Sequence, residues 1–350
     1  MTSTDLVALV LLLLLAAYTC GGGADFGAGI WDLLAGDRDR GARPRALVDY
    51  AMAPVWEANN VWLVFILVVT WTGFPPVFEA VMSTAWVALT LVALGIVARG
   101  AAFAIRKPTH RIARRRHLGI VFGLASVLTP FFLAAVLGGI ASGRIPPGNS
   151  KGDPVTSWLN PTSVLFGVMG LLAAAFVAAA FLVSDARRFQ APDLEAYFRT
   201  RALVSGGLLL VVMAGGLLVV HEDAKHLYDG LTSGWGLAFA IAAGLLVTAT
   251  AALLRGGRLR GTRLTAAGAL ASLVLSWGMA QRPYALPTTL TVDEAAGDPN
   301  TMRWLVLVTV VAVVLVGPAL ALLYRLDLTD RLAADHDEDL IETRATTPGR

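Results

Sequence analysis

Charge is what this 350-residue chain has least of. Charged residues make up 15% of it and apolar residues 56%, with a mean hydropathy of +0.66. Soluble domains carry about 25% charged residues, so a water-soluble fold is excluded. Lysine occurs at only three positions, Lys107, Lys151 and Lys225, and arginine supplies the remaining basic charge. The single cysteine, Cys20, lies inside the first apolar run. One thiol can form neither a disulfide within the chain nor a thiolate metal cluster, and its plain reading is a small buried residue. Histidine is scarce as well. His110 and His117 fall in an arginine-rich loop, His336 in the C-terminal tail, and His221 and His226 flank the outer end of one apolar segment. None stands in the middle of a span and none pairs across a bundle as haem iron would require, so this chain is expected to hold no metal. His221 beside Glu222 reads as an interfacial polar pair. The formal charge of +3 does not imply nucleic acid, because the arginines lie in loops between apolar segments.

What remains is membrane sequence. Segments of about 20 apolar residues, enough to cross a bilayer, recur near 6–30, 52–73, 77–98, 118–141, 162–183, 203–220, 235–254, 264–281 and 303–324. The N-terminal run resembles a signal peptide but lacks a positive n-region and an A-x-A-like site, and it is read as a retained first span. The expected fold is an all-α polytopic membrane protein of about nine spans. Spans one to four and five to eight could form two bundles, although no sequence repeat is evident between them. The short Gly73–Pro76 connection predicts a tight antiparallel hairpin of spans two and three. Residues 1–326 read as one transmembrane domain and 327–350 as a polar tail, acidic around Asp335–Asp339 and expected to be disordered.

Loop charge gives the orientation. Arginines crowd the loops after spans one, three, five and seven and the tail, including Arg38, Arg45, Arg106, Arg187 and Arg258. The opposite loops hold only Arg144, Lys151, Lys225, Arg282 and Arg303. Positive residues stay inside, which places the N-terminus outside and the C-terminus in the cytoplasm. Most tryptophans sit near span ends, as in an aromatic belt.

Two carboxylates stand out. Asp25, in GGGADFGAG, closes the first apolar segment, and Glu57, in PVWEANNVW, opens the second. Helical spacing puts Glu57 and Asn60 on one face. An acid at the mouth of a membrane helix is costly unless paired, hydrated or used. One reading is a cytoplasmic proton entry, with partial burial keeping both protonation states accessible. The other is a structural ion pair or cap, for instance with Arg99. The residues leave the two level. The G-x-x-x-G pairing of Gly23 with Gly27 reads as close helix packing, which also leaves room for water beside Asp25.

GADFGAGIWDLL, PVWEANNVWLVF with the FPP turn, ARGAAFAIR and AQRPYALPTTLTVDEAA occur in an order and spacing that resembles subunit II of the cytochrome bd-type quinol oxidases, over roughly 6–325. The resemblance implies two four-helix bundles plus one peripheral helix in a bacterial plasma membrane. It also implies a haem-bearing subunit I that oxidises quinol and reduces oxygen to water, with haems b and d in that partner and none held here. A small single-helix subunit could join, and lipid and quinone would surround the complex. The arginine bias suggests a GC-rich genome and so menaquinol. Carried over by position, Asp25 and Glu57 form the proton path, supported by Trp56, Asn59 and Arg99. The chain departs from the family where Gly22 and Ala104 replace acids and Ala58 replaces a glycine, which puts the usual path entrance in doubt. The alternatives are a proton-coupled secondary transporter and a purely scaffolding subunit. A transporter would be expected to carry broken helices in both halves, and spans five to eight offer no matching intramembrane acid.

Overall fold

A computed structural model describes residues 2–36, 40–52, 56–106 and 112–328. The described chain is mostly helical, in the order α1 (Ser3–Leu33), α2 (Ala42–Met52), α3 (Trp56–Gly73), α4 (Pro75–Thr84), α5 (Trp86–Arg106) and α6 (Ile112–Ala141). It continues with α7 (Pro161–Arg188), α8 (Pro192–Asp223), α9 (Lys225–Leu231), α10 (Gly234–Arg255), α11 (Thr262–Gln281), the strands β1 (Tyr284–Leu286) and β2 (Leu290–Thr291), and α12 (Pro299–Leu328). Helix ends follow local signals. Thr2 forms a capping box with Asp5 at α1, and Asn160 caps α7 ahead of Pro161.

Among the described residues, α1, α7, α8, α10, α11 and Leu118–Ala141 of α6 are long and apolar enough to cross a membrane. Asn59–Gly73 and Pro75–Thr84, bent 119° to each other at Phe74, make a seventh if they are one broken span. The segments expected as spans three and nine, 77–98 and 303–324, overlap the shorter apolar stretches Trp86–Ala102 and Pro299–Leu315. The expected hairpin of spans two and three is not a closed pair: α3 packs on α1, whereas α5 packs on α6. Residues 329–350, most of the expected tail, lie outside the described residues. After α11, β1 pairs with β2 as an antiparallel ribbon.

Helices α2 and α9 had no counterpart in the hydropathy reading, and α4 opens the expected third span. Helix α2 is too short to span, but it seats Leu47 and Val48 fully against the ends of α1 and α7. Helices α4 and α9 are a structural repeat. Their N-caps Phe74 (φ −133°, ψ 62°) and Ala224 (φ −143°, ψ 61°) bend the chain alike. Each then presents an aromatic–acid pair, Phe78–Glu79 or Tyr228–Asp229, whose acid contributes its carbonyl to a serine hydroxyl, Ser83 or Ser233.

The core runs along α7, where Ala173–Ala180 is buried throughout. Helices α7, α8, α10 and α11 close on one another, while α1 and α6 pack against α7. Small residues allow this closeness, as expected where lipid offers no hydrophobic drive between helices. A Cβ on Gly27 would lie 1.9 Å from the Ala174 carbonyl oxygen, and backbone cannot move aside as a side chain can. Gly27→Ala is therefore expected to cost at least the 1–3 kcal/mol or so of an overpacked core, read as a clear fall in melting temperature in detergent. Gly100→Ala, facing open space, should leave it unchanged.

Candidate functional site

Three of the five residues singled out from the sequence have described side chains, and all three lie beside α1. Asp25 and Arg99 form a buried ion pair. Arg99 Nη1 donates to Asp25 Oδ2 at 2.7 Å and Nη2 to Oδ1 at 2.7 Å, with a further bond from Nη2 to the Asp25 carbonyl at 3.0 Å. Arg99 Nε donates to Ser126 Oγ at 3.0 Å, and the serine hydroxyl donates to the Phe122 carbonyl. A guanidinium has five N–H donors in a fixed fork, and four are used here. The rings of Phe26 and Phe122 lie 4.8 and 4.7 Å from the guanidinium carbon, adding cation–π attraction in a desolvated setting.

Asn59 is buried at the first turns of α3 and donates from Nδ2 to the Gly21 carbonyl at 3.0 Å. A Cβ on Gly21 would sit 2.5 Å from Asn59 Oδ1, so the glycine admits the amide. Trp56 and Glu57 open α3, and their side chains lie outside the described residues. Gly22, where an acid was expected from the resemblance, is covered by the Tyr18 ring. His117 lies on α6 rather than in a loop, with its side chain outside the described residues. His221 Nδ1 meets Glu222 at 2.8 Å, and His226 Nε2 meets the Gln281 carbonyl at 3.1 Å. Both histidines lie at helix ends, His221 against its neighbour Glu222 and His226 against the end of α11, which does not fit a facing pair of iron ligands. No group of three or more His, Cys, Asp or Glu among the described residues is placed to hold a metal ion.

Sequence reading missed further buried acids. Asp32, on the same face of α1 seven residues beyond Asp25, is buried, with Arg45 Nε 3.5 Å away. Asp185 on α7 pairs with Arg263, and Glu195 on α8 with Arg187 and Arg199. All three lie beyond the ends of the apolar segments 6–30, 162–183 and 203–220, among arginines; only the partner distances separate a buried carboxylate from a solvated one. The second half therefore does contain buried acids, all near the arginine-rich end.

On the other side of Asp25 the surroundings are apolar. A cavity of about 550 Å³ runs beside α1 from Asp5 and Arg282 to Tyr18 and Phe26, its walls dominated by residues such as Leu12, Leu63 and Leu133. Replacing one member of a buried ion pair costs about 3–5 kcal/mol, because the other charge is stranded. Asp25→Asn should thus lower the melting temperature strongly, and Asp25→Asn with Arg99→Met should recover much of the loss. A double variant as unstable as the single one would show that the stranded guanidinium is not the cause.

Comparison with known proteins gives the family and the fold. Residues 3–327 match the family described as cytochrome bd terminal oxidase subunit II. A putative cytochrome bd menaquinol oxidase subunit II of Bacillus subtilis (strain 168) is 22% identical over 320 residues, covering 88% of this chain and 90% of the relative. A cytochrome bd ubiquinol oxidase subunit 2 of the same organism is 26% identical over 147 residues, 42% of this chain and 43% of the relative. The fold is similar to that of a chain in the structure of bd oxidase from Geobacillus thermodenitrificans. The TM-score is 0.72 at 21% identity, over 94% of this chain and 100% of that one.

Proposed function

The chain belongs to the family of cytochrome bd terminal oxidase subunit II, and from that premise we propose that it is the non-haem subunit that gives such an oxidase its proton supply from the cytoplasm. The family is part of a quinol oxidase complex in the bacterial plasma membrane, an oxidoreductase. In this reading a haem-bearing subunit I oxidises quinol, menaquinol by the sequence bias, and reduces oxygen to water, with or without a small single-helix subunit. The present chain contributes nine spans as two four-helix bundles and a peripheral α12. Its N-terminus is outside, its C-terminus is cytoplasmic, and residues 327–350 form a tail beyond the transmembrane domain 1–326.

The observation that carries the proposal is the position of Asp25. It is buried in α1, with acids and arginines toward the arginine-rich end and an apolar cavity toward the other. Positive residues mark the cytoplasmic side, so polar groups approach Asp25 from the side where protons are taken up. Glu57, at the start of α3, is the second member; Asn59 ties α3 to α1, Arg99 ties α5 to α1, and Trp56 is the third supporting residue by the resemblance. The bidentate Arg99 contact favours a second reading for Asp25 itself, that of a structural lock. A guanidinium bound at both carboxylate oxygens resists the loss of its counter-charge. In that case Glu57 is the member that exchanges protons.

Purification of the tagged chain from native membranes, followed by a reduced-minus-oxidised spectrum, should show a co-purifying haem subunit with a long-wavelength d-type band. A colourless chain that purifies alone would overturn the oxidase reading in favour of a transporter. In the assembled complex, Glu57→Gln should slow oxygen consumption per haem about tenfold or more, a barrier increase of about 1.4 kcal/mol. Unchanged turnover would leave a scaffold.

A further inference from the structure

We propose that Asp32 is the relay carboxylate between the cytoplasmic surface and the buried Asp25–Arg99 pair. The inference rests on the reading of a proton path on this chain and extends that path by one member toward water.

Four observations carry it. First, Asp32 is 3% exposed, and a buried carboxylate in a membrane helix costs several kcal/mol unless it is paired or used. Second, its register is that of the known pair. Residues seven apart on a helix lie on nearly one face, and a rise of about 1.5 Å per residue puts Asp32 roughly 10 Å beyond Asp25 toward the arginine-rich end. Third, the face between them carries no α1 side chain larger than Ala28, and it meets the Ser126 hydroxyl beside the Phe122 ring. Gly29, four residues after Asp25, leaves its missing Cβ space to Ser126, whose Oγ lies 2.1 Å from where that Cβ would be. The hydroxyl is the one that accepts from Arg99 Nε, so the Asp25–Arg99–Ser126 chain of bonds ends one helical turn short of Asp32. Fourth, Asp32 is linked to the surface. Arg45 lies 3.5 Å from it with a side chain 27% exposed, and the same guanidinium donates from Nη2 to the Gly36 carbonyl at 2.6 Å.

The step moves a proton only. A hydronium ion at the surface beside Arg45 gives its proton to the Asp32 carboxylate and is left as water; Asp32 passes the proton through intervening water on the Ser126 side of α1 to the Asp25 carboxylate and returns to its ionised form. Arg45 and Arg99 keep their charges throughout. Arg45 acts as a positioning residue, holding the carboxylate at the water boundary. The acids absent at Gly22 and Ala104 are not needed for this entrance, because Asp32 comes from a different turn of α1 than Gly22 and from a different helix than Ala104.

The experiment uses the assembled complex, normalised to haem content, with a short-chain quinol as electron donor and an oxygen electrode. Asp32→Asn is expected to lower turnover per haem about tenfold, within the range for a lost proton-transfer group. It should also raise the solvent deuterium isotope effect, and Asp32→Glu should restore most of the rate. A purely structural ion pair would lower the yield of complex without changing the isotope effect of what assembles. Normal turnover in Asp32→Asn alongside slow turnover in Glu57→Gln would overturn the role of Asp32 and leave the path standing. Normal turnover in both would remove the path itself. Should Asp32→Asn fail to assemble, Arg45→Gln decides. Slowed turnover with a raised isotope effect supports the relay, and wild-type behaviour overturns it.

Discussion

The arrangement of the first half of this protein depends on one buried ion pair. Arg99 reaches from α5 across to Asp25 on α1, takes both carboxylate oxygens and the Asp25 carbonyl, and turns its remaining bonded N–H to Ser126 on α6. Three helices thus meet at one guanidinium. Such a pair adds little stability over a well-packed apolar substitute, because desolvating two charges offsets much of their attraction. What it adds is register, since an apolar contact would tolerate α1 sliding by a residue and a bidentate fork would not.

That register has a steric counterpart in the glycines of α1. Gly21 admits the Asn59 amide, Gly27 lies against the backbone of α7 at Ala174, and Gly29 admits Ser126. Three neighbouring helices come close to α1 between Gly21 and Gly29, and each approach would be blocked by a methyl group. The glycine-rich sequence around Asp25 thus carries two messages. It packs α1 at the centre of the molecule, and it lets polar groups on α3 and α6 lie against the turns next to Asp25.

Much of this was legible in the sequence because a bilayer makes unpaired charge expensive. Asp25 and Arg99 stand out as charges adjoining long apolar runs, and small residues around Asp25 point to close packing. Less legible were features set by partners distant in sequence. Asp32, Asp185 and Glu195 look like loop acids among loop arginines, and only the fold separates a buried 3.5 Å or closer contact from a solvated pair. Helix α2 lies below the length at which hydropathy signals a span, and its burial comes from docking on α1 and α7. The α4/α9 repeat escapes a search for identity because what repeats is a backbone bend and an aromatic–acid–serine contact, with few shared residues. The tight hairpin expected at Gly73–Pro76 fails for a related reason. A short connection limits how far two helix ends can separate, but says nothing about whether the helices stay together; α1 and α6 offer α3 and α5 better surfaces.

The repeat also shows where the two halves differ. Both carry a bent connection after their second long helix, and both place acids against arginines at the same end, Asp32 with Arg45 and Asp185 with Arg263. Only the first half continues inward. Beyond Asp32 its first helix has Gly29 and then Asp25, with Ser126 and Arg99 beside them, whereas α7 before Asp185 is Ala173–Ala180, buried and without a polar side chain. Apolar packing of that density excludes water, since a buried water needs two to four polar partners. One half therefore ends its polar groups at the surface, and the other carries them into the interior along a single helix face. The alanine packing of α7 needs no buried charge, whereas α1 takes its register from a bidentate ion pair. On the proposed proton path, the cost of burying Asp25, Arg99 and Asp32 is offset by proton transfer as well as by the register that the pair fixes.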